Sequence, residues 1–133
     1  MNDDLKGKTA VITGAGKKTG IGYAIADRLA EKGCNVVIAD LEQEGLQDIC
    51  DGLSGKYGVR ALPAPVDVTD NAVIQAMVDA IKAEFGAVDI LCNNAGASFG
   101  VPNTVQNYDE DAWMKTIDVN LHSVFRVSRA MVP

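Results

Sequence analysis

Short apolar runs rich in β-branched residues alternate along the chain with longer segments whose apolar residues recur every three or four positions. The first run, "TAVIT" (9–13), reads as a buried strand. "GIGYAIADRLAEKG" (20–33) follows as a helix, with Ala24, Ile25 and Leu29 on its inward face and Gly33 as its stop. "NVVIA" (35–39) predicts the second strand, and residues 42–55 a second helix with Leu46, Ile49 and Leu53 inward. "VRALPAPVD" (59–67) predicts a third strand, whose two prolines suit a sheet edge. Thr69 is the expected cap of a helix that turns Val73, Met77, Ala80 and Ile81 inward. "VDILC" (88–92) is the fourth strand. Residues 109–131 predict one long helix with Trp113, Ile117, Leu121, Phe125 and Ser128 on its buried face. Asp109, Glu110 and Asp111 stand at its N-terminal end, where the macrodipole favours negative charge.

Strands separated by helices pair in parallel through right-handed crossovers. The expected fold is therefore α/β, a doubly wound parallel sheet of the Rossmann type in strand order 3-2-1-4, with residues 1–133 as one domain. The third strand then lies at an edge, as its prolines require. No internal repeat, low-complexity tract or linker divides the chain.

In such a sheet, ligands bind beyond the carboxyl ends of the strands, where strand order reverses. The first strand ends in "TGAGKKTGIG" (13–22). There Gly14 permits a tight turn, Gly20 lets backbone approach a pyrophosphate, and Gly22 allows close helix–strand packing. Asp40 follows the second strand, placed to accept both hydroxyls of an adenosine ribose, or merely to cap a helix. Asp67-Val68 follows the third, and "NNAG" (93–96) the fourth. Each alone reads equally well as a turn or helix start. Together, all four strand ends carry groups suited to one dinucleotide.

Composition removes other classes. Of 133 residues, 47% are hydrophobic and 23% charged, which argues against disorder, and the net charge of −6 with no basic stripe argues against nucleic acid as a partner. No apolar run approaches the roughly 18 residues that a membrane span needs. Cys34, Cys50 and Cys92 are widely spaced in apolar surroundings, and His122 is the sole histidine, so reduced thiols and no metal site are expected. The polar start "MNDDLKGK" lacks a signal-like apolar core, and the chain reads as cytoplasmic. A P-loop is excluded because Lys18-Thr19 is preceded by Lys17 rather than glycine. A methyltransferase reading leaves "NNAG" and "VNL" (119–121) without a purpose.

"TGAGKKTGIG", Asp40, "DVTD" (67–70), "NNAG" and "VNL" as a set resemble the short-chain dehydrogenase/reductase family, over the whole chain. The resemblance implies an oxidoreductase that moves hydride between a nicotinamide dinucleotide and an alcohol or ketone. It implies that Gly14, Gly20, Ile21 and Gly22 hold the pyrophosphate side, that Asp40 takes the adenosine ribose, and that Asp67 and Val68 contact adenine. Asn94, Ala95 and Gly96 would line the floor beside the cofactor. Asn120 matches the helix asparagine of the family's catalytic tetrad.

The sequence departs from the family in two places. The usual loop has three residues between its first two glycines, whereas five, Ala15 to Thr19, separate Gly14 from Gly20 here. This reads as a two-residue bulge holding Lys17-Lys18. The family's serine and its Tyr-x-x-x-Lys pair are also missing: Tyr23, Tyr57 and Tyr108 are followed four residues on by Asp27, Ala61 and Ala112. The chain is thus expected to be the cofactor-binding half, truncated after its fourth helix and inactive alone, its alcohol or ketone substrate bound only in a full-length form. The alternative is a non-catalytic dinucleotide-binding or regulatory module. Asp40 favours NAD over NADP, since a 2′-phosphate beside a carboxylate costs on the order of 4 kcal/mol per charge pair at 4 Å. An exposed fourth strand and helix predict a homo-oligomer.

Overall fold

The computed structural model describes residues 5–133; residues 1–4, the start of the polar N-terminal segment, lie outside it. Strands β1 (Thr9–Thr13), β2 (Asn35–Asp40), β3 (Ala61–Pro65) and β4 (Ile90–Cys92) form one parallel sheet in the expected order β3-β2-β1-β4. Between them run α1 (Ile21–Glu31), α2 (Leu46–Tyr57) and α3 (Asn71–Phe85). A 3₁₀ turn, Val105–Asn107, precedes α4 (Glu110–Ile117) and α5 (Ser123–Met131).

Side chains of the central strands alternate between two cores. Ala10, Ile12, Val36 and Ile38 face α1 and α2, among Ala26, Ala30, Leu46, Ile49 and Leu53. Val11, Val37 and Ala39 face the other way, onto Ile74, Met77, Val78, Ile81 of α3 and Val127 of α5. Both faces of β1 and β2 are therefore covered, which is why their sequences read as unbroken apolar runs. β3 closes one edge. The Val66 amide donates to the Asp40 carbonyl, so even-numbered amides of this strand point at β2. Pro63 and Pro65, of the opposite parity, turn their missing N–H toward the open edge, where no ladder bond is lost.

Several local expectations are corrected. β3 and β4 are shorter than predicted, and β2 runs one residue further, to Asp40. Asp70, not Thr69, caps α3: its carboxylate accepts from the Ala72 and Val73 amides, while Thr69 is turned back onto Asp67. On α1 and α3 the inward faces carry Ala26, Ala30, Ile74 and Val78; Ala24 and Ala80 are exposed. Cys34 and Cys50 are buried, but Cys92 is only half-buried.

The predicted long helix is two helices joined by a π turn, Asp118–His122. Its expected buried face is open: Trp113, Leu121 and Phe125 are 54%, 62% and 62% exposed. Ser123 and Val127 are the buried positions instead. The 4-residue periodicity from Trp113 to Phe125 is real, but the described residues leave Trp113, Leu121 and Phe125 more than half exposed, with only Tyr108 edge-on to Trp113 and Arg129 over Phe125. No helix among the described residues is long and apolar enough to cross a membrane.

Candidate functional site

A cavity of about 500 Å³ lies at the carboxyl ends of the strands. Each strand supplies part of its wall: Gly14, Lys17 and Gly20 after β1; Asp40, Leu41 and Glu42 after β2. Val66, Asp67 and Val68 follow β3, and Asn94, Ala95, Gly96 and Ala97 follow β4, with Phe99 and Val119 closing the far side. The sheet order places the mouth where the chain reverses direction between β1 and β4.

The glycine loop is built by close approach. Gly14 has φ +70°, and a Cβ there would lie 2.7 Å from Ala95 Cα. Gly22 begins α1 against the floor, where a Cβ would lie 2.5 Å from both Asn94 Nδ2 and the Gly14 carbonyl oxygen. It serves packing as expected and is not on the cavity wall. The two extra residues form a turn closed by the Gly20 amide donating to the Lys17 carbonyl at 2.9 Å. Lys17 therefore reaches the cavity wall, while Lys18 does not. No side chain caps α1 at Gly20, so its first-turn N–H groups keep their capacity for an anion. Ile21 is 76% exposed and contributes no wall.

Asp40 is held at both carboxylate oxygens. Oδ2 accepts from the Gly16 amide at 2.9 Å and Oδ1 from the Glu42 amide at 3.1 Å. Asp67 accepts through Oδ1 from the Thr69 hydroxyl (2.6 Å) and amide (2.9 Å). These bonds hold its carboxyl below the usual range, against burial and the negative charge of Asp118, which act the other way. Asp118 is itself held low by Arg126 and His122, at 2.8 and 3.0 Å.

The floor is tied down from both sides. The buried Thr13 hydroxyl accepts from the amides of Asn94 (3.1 Å) and Ala95 (3.0 Å). The Asn94 side chain donates back to the carbonyls of Thr13 and Gly14, each at 3.0 Å. Asn120 lies beyond the wall: its amide donates to the carbonyls of Ala97 and Thr116, and a Cβ on Gly96 would lie 2.6 Å from its Oδ1. Phe99 borders the cavity and Ser98 does not. Among the described residues no group of His, Cys, Asp or Glu is arranged to hold a metal.

Gly16 and Thr13 were not singled out from the sequence. Gly16 was legible as the one glycine of the loop without an assigned task. Thr13 reads as an ordinary β-branched strand residue, and its role depends on what β4 brings beside it.

The chain matches the family model described as short chain dehydrogenase over residues 8–133. It is 40% identical over 129 residues to the 3-oxoacyl-acyl-carrier-protein reductase FabG of Escherichia coli strain K12, covering 97% of this chain and 50% of that protein. It superposes on the L-sorbose reductase of Gluconobacter frateurii, solved with NADPH and L-sorbose, with a TM-score of 0.90 and 34% identity. That match covers 100% of this chain and 49% of the reductase. An NAD+-bound xylitol dehydrogenase matches with a TM-score of 0.86 and 33% identity, over 96% of this chain and 48% of the enzyme. The chain spans about half the length of the curated relatives it matches. By sequence and by fold, it belongs to the short-chain dehydrogenase family.

Proposed function

We propose that this chain binds a nicotinamide dinucleotide in the cavity at the strand ends and is the cofactor-binding half of an alcohol or ketone oxidoreductase. The observation that carries the reading is convergence: loops from all four strands meet in one cavity that combines a close-packed glycine turn, an uncapped helix start and a fixed carboxylate. In this assignment Gly14 and Gly20 bring backbone to the pyrophosphate, with Gly22 and Ile21 starting the helix behind it. Asp40 accepts the adenosine ribose hydroxyls, Asp67 and Val68 flank adenine, and Asn94, Ala95 and Gly96 form the floor. Asn120 steadies that floor from the helix side. The bound nicotinamide supplies the hydride acceptor or donor.

NAD is the preferred form. Asp40 and Glu42 both stand on the wall, and a 2′-phosphate there meets negative charge. Lys17, on the same wall, favours the second reading, NADP. The solved relatives include both an NADPH complex and an NAD+ complex, so the preference rests on Asp40. Calorimetric titration of the 133-residue chain with NAD+ and NADP+ tests it. Binding of NAD+ at least about tenfold tighter, equivalent to roughly 1.4 kcal/mol, is expected. Equal or tighter NADP+ binding overturns the preference, and no binding of either overturns the dinucleotide reading.

These 133 residues contain no Tyr-x-x-x-Lys pair. Proton transfer by the family's route therefore requires groups outside them, and the chain alone is expected to show no turnover with alcohols or ketones. A non-catalytic binding module is the competing reading. It is favoured if the natural polypeptide has a mass of 14.0 kDa. We also read the open stripe from Trp113 to Phe125 and the open edge of β4 as surfaces on which a second copy pairs.

A further inference from the structure

We propose that Gly16 is a positioning residue that sets nucleotide selectivity by fixing the Asp40 carboxylate. This rests on the dinucleotide reading above. Two features of Gly16 point at Asp40, and a third shows that its own backbone does not require glycine. Its amide donates to Asp40 Oδ2 at 2.9 Å. A Cβ built on Gly16 would lie 2.8 Å from Asp40 Cγ and 2.9 Å from both Cβ and Oδ2, and these are its three nearest neighbours. Its φ does not fall in the left-handed region, so its backbone conformation does not demand glycine.

Glycine at this position is therefore explained by the side chain across from it rather than by its own turn. The loop before it is tied to β2 by the Ala15 amide donating to the Ala39 carbonyl at 3.2 Å, so Gly16 cannot easily withdraw. Any side chain here displaces the carboxylate. Asp40 then leaves the place where it repels a 2′-phosphate, while Lys17, the next residue, remains on the cavity wall to attract one. Selectivity is thus a property of the Gly16–Asp40 pair.

The test measures the dissociation constants of NAD+ and NADP+ for the unaltered chain, Gly16→Ala, Asp40→Gly and the double variant. Gly16→Ala is expected to weaken NAD+ by about tenfold and to bring the NADP+/NAD+ ratio close to one. In the Asp40→Gly background the three atoms nearest to the new Cβ are gone. Adding Gly16→Ala there is expected to change either affinity by less than about twofold. If Gly16→Ala does not fold, the comparison of the double variant with Asp40→Gly carries the test alone. A Gly16→Ala chain that keeps the original selectivity overturns the proposal. So does an additive double variant, which would mean that Gly16 acts on the nucleotide directly. Either result leaves the dinucleotide reading intact, whereas failure of the unaltered chain to bind NAD+ and NADP+ removes both.

Discussion

Thr13→Val isolates the tie between β1 and the cavity floor. Valine keeps the volume, the β-branching and the burial of a residue that is 1% exposed, and removes only the hydroxyl. That hydroxyl accepts from the Asn94 and Ala95 amides and lies 3.5 Å from the Cys92 carbonyl, at the limit of hydrogen bonding. Each buried N–H left without a partner costs about 1–3 kcal/mol, and because Asn94 and Ala95 are only half-buried, water recovers part of this. The expected loss is about 2 kcal/mol in total. For a chain of this size that lowers Tm by roughly 6–10 °C. Thr13→Ser keeps the hydroxyl and loses one methyl, costing about 1 kcal/mol. The order is diagnostic, because volume and strand propensity both favour valine over serine. Urea unfolding of the three proteins, with amide exchange read at residues 94 and 95, measures it. A valine variant as stable as the parent, or more stable than the serine variant, refutes the account of the floor.

Asp67, Asp89 and Asp118 all have carboxyls held below the usual value of 3.8, by Thr69, by the Thr9 amide, and by Arg126 with His122 respectively. Depressed folded values mean stability that is complete above the ordinary carboxylate range and lost as pH falls through and below it. The urea midpoint is expected to be insensitive to these groups from pH 7 to about 5 and to drop between about 4 and 2, and an unchanged midpoint there refutes the pairing. Burial, and then Asp51, push the Cys50 thiol up to about 12. Native Cys50 should therefore resist Ellman's reagent at pH 8 and react on unfolding; prompt native labelling contradicts its burial. Light scattering is expected to show dimers or larger species that the double substitution Leu121→Lys with Phe125→Lys converts to monomers. A parent chain that is cleanly monomeric refutes self-pairing.

The strand order and the cavity were legible because they follow from periodicity and connectivity. Two apolar runs with helices between them fix a parallel pair, and two prolines of equal parity in 61–65 fix an edge. Asp40, Asp67 and "NNAG" were legible for the same reason, each lying at a strand end. Side-chain competition was not legible. Thr69 and Asp70 both have capping oxygens, and the outcome turned on Thr69 being taken by Asp67. Periodicity also misled on α4 and α5. It reports that a face is apolar, and the face from Trp113 to Phe125 is apolar, but the described residues leave it open. Gly16 escaped notice because its partner is 24 positions away and no local pattern announces the contact.

Asn120 shows how the floor is finished from the second side. In a regular α-helix the Thr116 carbonyl would need only the backbone four residues on. Here it also takes the Asn120 side-chain amide at 2.8 Å, and the backbone around Asn120 widens into the π turn. An inserted polar group of this kind is a recognised cause of a local break in the helical ladder. The same amide reaches the Ala97 carbonyl, and Gly96 leaves no room for a side chain between them. Thr13 and Asn94 hold residues 94–95 from β1, while Asn120 holds 96–97 from the helix rod. The floor is therefore fixed between two elements that do not otherwise touch it in sequence. The floor is shaped before any ligand meets it, so the affinity of a ligand bound against it should depend little on ordering of residues 94–97. Asp40 is held differently, by two backbone amides of the adjoining loops, those of Gly16 and Glu42, at 2.9 and 3.1 Å.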